Sequence, residues 1–257
     1  MFAPGANGNV APIRSITGPA TQLGGPADVA VDAAGDVYSS NFNTSTVTEY
    51  APRASGNVAP IRTIAGSLTL VGANDDFSLT PDGTLFVGND TSPIVVFGPG
   101  QSGNVAPLRH LSGSNTGLTS VDGVGADATG AVYVANTGAS EISIFAPGAT
   151  GNVAPARTIV GSNTSLVGPD DVKVGFSGQI VVSDDSDKLL TFAAGASGNA
   201  TPIANISGPA TELSVLDDIA VDASGGIYAT DFNSTGVLFS RRGPTGTSLL
   251  LGRSRAL

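Results

Sequence analysis

The segment FAPGANGNVAPIRSI, at residues 2–16, is the first of five related copies. The others read YAPRASGNVAPIRTI from Tyr50, FGPGQSGNVAPLRHL from Phe97, FAPGATGNVAPARTI from Phe145 and FAAGASGNATPIANI from Phe192. Their aromatic anchors, followed by Phe239, are 48, 47, 48, 47 and 47 residues apart. A fixed period of this length is the signature of a repeat architecture, so the repeat determines the fold.

Each period contains short β-type runs separated by turn residues. In the first copy they are residues 13–16, 29–31, 37–39 and 46–50, and no segment sustains a helical period. Four strands per period match one blade of a β-propeller, and a small twisted sheet needs neighbours to cover both faces. We therefore predict an all-β propeller of four-stranded antiparallel blades. The repeats, which begin near residues 2, 50, 97, 145 and 192, form one domain over residues 1–240, with a tail at 241–257.

The composition excludes several classes of function. Eighteen residues are Asp, only three are Glu, and the net charge is −10, which argues against binding to nucleic acid. The chain contains no Cys and a single His, His110, so thiolate sites and multi-histidine metal sites are excluded. No apolar run approaches 18 residues, so we expect no membrane insertion.

Two stretches carry a resemblance to a known family. PADVAVDAAGDVYSSN at residues 26–41 and LDDIAVDASGGIYATD at residues 216–231 resemble the NHL repeat. NHL-like propellers are usually six-bladed and include both binding modules and enzymes, so the resemblance implies the fold more strongly than the function. Related metal-dependent lactonases combine Glu, Asn and Asp around the channel, whereas Glu49, Glu141 and Glu212 fall elsewhere in the repeat.

The number of blades and the closure of the ring leave alternatives. We expect five blades, with residues 13–16 pairing with residues 237–239 to close the ring and protect the edge strand. The tail offers a second closing strand, because Leu249–Leu251 lies as far from Phe239 as Ile13 does from Phe2. A six-bladed ring, or a truncated six-bladed parent, is the third arrangement.

Acidic residues concentrate at two adjacent positions of the repeat. Relative to the Gly of each inner turn, the positions seven and eight residues earlier hold eight Asp among ten residues: Asp28, Asp75, Asp76, Asp122, Asp170, Asp171, Asp217 and Asp218. They precede the innermost strand, so we expect them around one mouth of the channel. Crowded carboxylates raise one another's pKa or recruit a cation, and their oxygens suit Ca²⁺ or Mg²⁺. The alternative is a structural role, in which each Asp accepts bonds from turn amides.

A second polar ring ends the second strand of each blade. Its members are Asn41, Asn89, Asn136, Asp184 and Asp231, and we expect them on the same side as the acidic ring. They would face a ligand there or, alternatively, close tight turns. The GNVAP element indicates a turn, in which Gly supplies a positive φ and Pro enters an outer strand.

These features favour a non-enzymatic binding propeller with an acidic channel mouth. We expect a monomer, secreted or at the cell surface, that binds a protein, a small molecule or a glycan, with Ca²⁺ or Mg²⁺ as the candidate cofactor. A metal-dependent hydrolase or lyase is the main alternative. A purely structural repeat or an engineered scaffold is the third.

Overall fold

The repeat folds into four-stranded antiparallel sheets, as the sequence predicts. The protein is described here by a computed structural model that covers residues 1–3, 6, 9–90, 93–231, 236–242 and 248–255. The strands are β1 Pro26–Val31, β2 Val37–Asn41, β3 Thr46–Tyr50, β4 Arg62–Ile64, β5 Phe77–Leu79, β6 Leu85–Val87, β7 Ile94–Phe97, β8 Arg109–Leu111, β9 Val121–Ala126, β10 Val132–Asn136, β11 Glu141–Phe145, β12 Arg157–Ile159, β13 Pro169–Val174, β14 Ile180–Asp184, β15 Lys188–Phe192, β16 Ala204–Ser207, β17 Leu216–Val221, β18 Ile227–Asp231, β19 Gly236–Arg242 and β20 Ser248–Arg255.

Each sheet is a simple up-and-down meander. The sheets are β1–β4, β5–β8, β9–β12, β13–β16 and β17–β20. Short 3-10 helices occupy loops at Pro19–Thr21, Phe42–Thr44, Ser114–Thr116, Thr137–Ala139 and Pro209–Thr211. In the described part of the chain no helix has the length and apolar character needed to cross a membrane.

The core lies between successive sheets rather than inside one common centre. Tyr38 and Val47 of the first sheet pack against Phe77 and Leu85 of the second, and equivalent clusters join each later pair. The aromatic anchors Tyr50, Phe97, Phe145 and Phe192 are at most 1% exposed. The repeat period therefore reflects a buried position that every blade needs to fill.

The predicted closure by the N-terminal strand is wrong. Residues 237–239 pair with residues 252–254 of β20, so the tail supplies the outer strand of the last sheet. Four blades, β1–β16, are built wholly from the repeat, while the fifth sheet takes its outer strand from outside it. No sixth sheet is present among the described residues. Residues 248–255 follow β19 directly in the chain. Pairing β19 with this segment costs less loop-closure entropy than pairing it with residues 13–16, which lie more than 200 residues away.

The GNVAP turn joins each outer strand to the following blade. Ile16, Ile64, Leu111 and Ile159 form parallel bridges with Gly56, Gly103, Gly151 and Gly198. These four glycines have φ between 62° and 79°, as the predicted turn requires. The neighbouring Asn side chain accepts a hydrogen bond from a loop amide, as Asn152 Oδ1 does from Asn115 N at 2.7 Å. The GNVAP element thus connects each outer strand to the next blade, and we call this connection the latch.

Replacing the anchor Phe145 by Ala should destabilise the fold strongly. Phe145 is fully buried between the second and third blades, so its loss should lower the free energy of unfolding by about 3–5 kcal/mol. Urea unfolding followed by circular dichroism measures this. Phe176→Ala is the matched control, because Phe176 is 93% exposed and should change stability by less than about 0.5 kcal/mol. Equal effects of the two substitutions would contradict the packing described.

Candidate functional site

The acidic pairs lie in irregular stretches of the innermost strands. The pairing of β1, β13 and β17 with the next strand shifts register between Pro26 and Val29, between Pro169 and Val172, and between Leu216 and Ile219. Such a bulge leaves one residue unpaired and redirects the side chains beside it. Both acidic positions of each of these blades fall within the bulge.

The structure brings all eight predicted aspartates to one cavity. It has a volume of about 410 Å³ and is otherwise lined by Pro26 and Ala27. The eight side chains therefore lie together around one cavity, as the repeat predicts. Whether the cavity binds a metal stays a prediction.

The second Asp of each pair connects its blade to the next one. Asp76 Oδ2 accepts a hydrogen bond from Val124 N at 2.6 Å, across the boundary between the second and third blades. Asp171 Oδ2 accepts one from Ile219 N at 3.0 Å. Asp28 Oδ2 accepts one from Phe77 N at 3.3 Å. These three carboxylates, together with Asp218, form what we call the inner layer, and its role includes the structural one.

The third blade carries Gly123 where the others carry this Asp. A Cβ at Gly123 would lie 2.5 Å from Asp171 Cα, and one at Gly125 would lie 2.5 Å from the carbonyl oxygen of Val172. The innermost strands of the third and fourth blades are therefore too close for side chains at these positions. The exception to the acidic pattern follows from this close approach.

Lys173 supplies a positive charge to the inner layer. Its Nζ lies 2.9 Å from Asp76 Oδ1, 3.0 Å from Asp171 Oδ1 and 3.6 Å from Asp218 Oδ1. The Lys173 side chain is 20% exposed, and the surrounding carboxylates raise its pKa well above the ordinary value although burial opposes this. Three of the predicted metal ligands thus already share a cation from the protein.

The first Asp of each pair forms an outer layer, which consists of Asp75, Asp122, Asp170 and Asp217. Burial and the charge of Asp185, with smaller effects of Asp217 and Asp122, raise the pKa of Asp170 to about 8. Burial and the neighbouring Asp90 raise the pKa of Asp75 to about 6. Among the described residues, the ion pairs shorter than 4 Å in this cluster all belong to the inner layer.

The inner carboxylates are also hard to ionise. Burial raises the pKa of Asp28 and that of Asp171 to about 6, although Lys173 counteracts it. Burial raises the pKa values of Asp76 and Asp218 as well. Lys173 alone therefore does not neutralise the eight carboxylates around the cavity.

The second polar ring does not line this cavity. Asn41, Asn89, Asn136, Asp184 and Asp231 are at most 4% exposed. Each accepts a hydrogen bond of 2.8–3.1 Å from a backbone N–H 17 residues earlier, as Asn89 Oδ1 does from Gly72 N. These side chains fasten the loop that leads into the innermost strand, so the structure gives them the turn-closing role rather than a position against a ligand.

Carboxylate oxygens of Asp28, Asp76 and Asp218 lie within 4.8 Å of one another. Carboxylate oxygens are donors that a hard divalent cation prefers, although Ca²⁺ takes about six to eight oxygen ligands and would need further oxygens here. Oδ1 of Asp218 is buried and has no hydrogen-bond partner, although Lys173 lies 3.6 Å away. The donor chemistry fits Ca²⁺ or Mg²⁺, but Lys173 already pairs with Asp76 and Asp218, so among the described residues the outer layer is the set of carboxylates left without a cation from the protein.

Sequence reasoning missed Lys173 as part of the site. It is one of only two Lys in the chain and follows an acidic pair by two residues, where the other blades carry Ala30, Ser78, Gly125 and Ala220. Aligning the blades at this position would have shown a lone cation beside eight carboxylates.

Comparison with known proteins supports the propeller fold. No family model and no curated protein matches the chain. Among solved structures, Kuenenia stuttgartiensis hydrazine synthase is 18% identical with a TM-score of 0.64, covering 91% of this chain and 68% of that one. A putative 6-phosphogluconolactonase from Bacteroides uniformis is 16% identical with a TM-score of 0.63, covering 91% and 73%. Virginiamycin B lyase from Staphylococcus aureus is 11% identical with a TM-score of 0.59, covering 87% and 68%.

The protein is a β-propeller. At these identities the likeness extends to the fold alone, so membership of the NHL family stays a prediction.

Removing the cation of the inner layer should destabilise the propeller. Lys173→Met leaves several buried carboxylates without their counter-charge and should lower the free energy of unfolding by about 3–5 kcal/mol at pH 8. The loss should be smaller at pH 5, where the carboxylates can take up protons. Lys188→Met is the control. Among the described residues, Lys188 Nζ donates a hydrogen bond to the carbonyl of Ser165, so this substitution should lower the free energy of unfolding by less than about 1 kcal/mol. Similar losses at both pH values would contradict this.

Stability should fall as the pH rises from 5 to 8.5. The carboxylates with raised pKa, above all Asp170 at about 8, bind more protons in the folded state than at the unfolded value of 3.8. Their contribution is therefore present at low pH and is lost as the pH rises through the folded pKa. Melting temperatures across this range measure the slope. Asp170→Asn should flatten it, whereas Asp222→Asn should not, because the pKa of Asp222 is lowered to about 2.

Proposed function

We propose that the protein is a non-enzymatic binding propeller whose outer acidic layer holds a divalent cation. The single observation that carries this is the arrangement of two acidic layers around one cavity, in which the ion pairs of Lys173 go to the inner layer. Lys173 offsets charge in the inner layer. The outer layer, at the mouth, keeps its carboxylates for a ligand from solution.

The raised pKa values support this assignment. Asp170 and Asp75 resist ionisation because they are buried beside other carboxylates, Asp185 and Asp90 respectively. A cation that binds between such groups replaces protons and relieves the repulsion. We therefore expect Ca²⁺ or Mg²⁺ to bind more tightly as the pH rises and to release protons when it binds.

A cation at the mouth also suits the partners and location inferred from the sequence. A bound Ca²⁺ that keeps open coordination positions can take hydroxyl or carboxylate oxygens from a glycan, a small molecule or a protein. Sites in extracellular modules bind Ca²⁺ with Kd values of about 10⁻⁴–10⁻³ M, a range that fits a partly protonated cluster. We propose a secreted or cell-surface location, and a Kd in this range is the result that would agree with it.

Calorimetric titration with Ca²⁺ and Mg²⁺ tests the proposal. The wild-type chain should bind Ca²⁺ at pH 8 with a Kd of about 10⁻⁴–10⁻³ M and at least about tenfold more weakly at pH 6. Titration in two buffers of different ionisation enthalpy should reveal proton release. The quadruple variant Asp75→Asn, Asp122→Asn, Asp170→Asn and Asp217→Asn should lose binding.

The matched control removes four charges at the opposite end of the innermost strands. Asp32, Asp82, Asp127 and Asp222 lie in the turns there, and Asn at these positions keeps an oxygen that can accept the turn bonds. This variant should bind Ca²⁺ as the wild type does. Absence of binding by the wild type, or binding that survives in the outer-layer variant, would overturn the proposal.

The same proteins test the alternative of a metal-dependent hydrolase or lyase. Incubation of the Ca²⁺-, Mg²⁺- and Zn²⁺-supplied wild-type chain with a panel of lactones should give no hydrolysis above the buffer rate. Turnover that disappears in the outer-layer variant would show an enzyme and contradict the non-enzymatic proposal.

A further inference from the structure

In the part of the chain that the structure describes, one face of the first sheet lacks the cover that every other blade has. Val29 is 64% exposed, whereas its equivalents in the later blades are at most 2% exposed: Phe77, Val124, Val172 and Ile219. Val31 on the same face is 55% exposed. In the later blades this face packs against the preceding sheet, so the fold itself shows what kind of surface covers it.

The N-terminal segment already occupies the place of an outer strand beside this face. Gly56 N donates to the carbonyl of Ser15 at 2.6 Å, just as Gly103 N donates to the carbonyl of Thr63 at 2.7 Å. Ile13 N donates to the carbonyl of Met1 at 3.0 Å, which repeats the bond from Ile61 N to Glu49 at 2.7 Å. Residues 13–16 therefore hold the position that β4 holds in the first blade.

A groove separates this strand from the exposed face. It has a volume of about 460 Å³, and its lining includes Arg14, Ile16, Val29, Val31, Val37 and Tyr50. These side chains are mostly apolar, with the backbone of an outer strand along one side. A β-strand that entered here would find both an edge to pair with and an apolar surface to bury.

A carboxylate oxygen of Asp218, in the fifth sheet, lies within 4.8 Å of one of Asp28, which lines the groove. Asp28, Asp76 and Asp171 each accept a hydrogen bond from a backbone N–H of a following sheet. Asp218 is their equivalent in the fifth sheet, and among the described residues its buried Oδ1 has no hydrogen-bond partner, only the 3.6 Å ion-pair contact with Lys173. The carboxylate that would connect the fifth sheet to a next one is present.

We propose that the face of Val29, Val31 and Val37 is a docking surface for a three-stranded antiparallel β-sheet supplied by a partner polypeptide. This sheet would pair its third strand with residues 13–16, cover the valines with an apolar face and present a backbone N–H to Asp218. A second copy of the chain fits less well, because each described sheet already holds four strands and would have to release one. Main-chain pairing and pockets for alternate side chains are the usual basis of strand addition.

The chain's own repeat provides a probe for this surface. A copy of residues 114–144, which contains β9, β10 and most of β11, can be placed before Phe2 in place of Met1, because Ile144 and Met1 are equivalent in the repeat. The absence of Cys allows a single introduced thiol to report on cover. Val29→Cys should react rapidly with a thiol reagent in the chain alone and at least about tenfold more slowly in the extended chain.

Two reference positions and a thermal measurement accompany this experiment. Val172→Cys, fully buried, should react slowly in both chains, and Phe176→Cys, 93% exposed, should react rapidly in both. The extended chain should melt about 5 °C or more higher. Tyr133→Asp with Ile142→Asp in the added copy should abolish both gains, since these positions face the next blade.

Several results would overturn the proposal. Slow reaction of Val29→Cys in the chain alone would mean that the chain covers this face itself. Rapid reaction at Val29 in the extended chain, with slow reaction at Val172 there, would mean that an added sheet does not dock. Equal protection by the doubly substituted copy would show that the cover is not a blade-to-blade contact.

Discussion

Carboxylates that reach from one blade to the backbone of the next are the interaction on which the rest of this propeller depends. Asp76 and Asp171 each accept a hydrogen bond from a backbone N–H of the following sheet, and both residues are buried. A buried carboxylate that loses such partners costs several kcal/mol, so the bonds fix the spacing of the innermost strands. The packing of the aromatic anchors further out then follows from that spacing.

This arrangement concentrates negative charge at the centre, and Lys173 neutralises part of that charge. One ammonium group contacts three carboxylates from the second, fourth and fifth sheets. It stabilises the inner layer but leaves the mouth acidic. The repeat that places the bridging carboxylates in the inner layer also gathers the outer layer beside them, where we propose that a cation binds.

The sequence predicts those features that every repeat copies. The four-stranded blades, the GNVAP turn and the gathering of eight Asp around one cavity all follow from positions that recur at 47 or 48 residues. Features found once were harder to predict. Lys173 and Gly123 act through contacts between blades, and the pairing of β20 depends on a tail that lies outside the repeat.

The two polar rings show a further limit of pattern reasoning. Asn41 and Asn136 recur as regularly as the acidic pairs, yet their side chains turn into loops and bond to backbone amides. Recurrence shows that a position matters in every blade but not which way its side chain points. Only the bulges in the innermost strands, which the period does not reveal, distinguish the two rings.

The latch between an outer strand and the next turn has a consequence for how the molecule opens. Each bridge, such as that from Leu111 to Gly151, joins adjacent blades, so apart from the Lys173 ion pairs at the centre, cooperativity passes from neighbour to neighbour as in a linear array. Thermal opening should then fray inwards from the first and last sheets. The amides of the third and fourth blades, whose innermost strands approach most closely at Gly123 and Gly125, should exchange with solvent last.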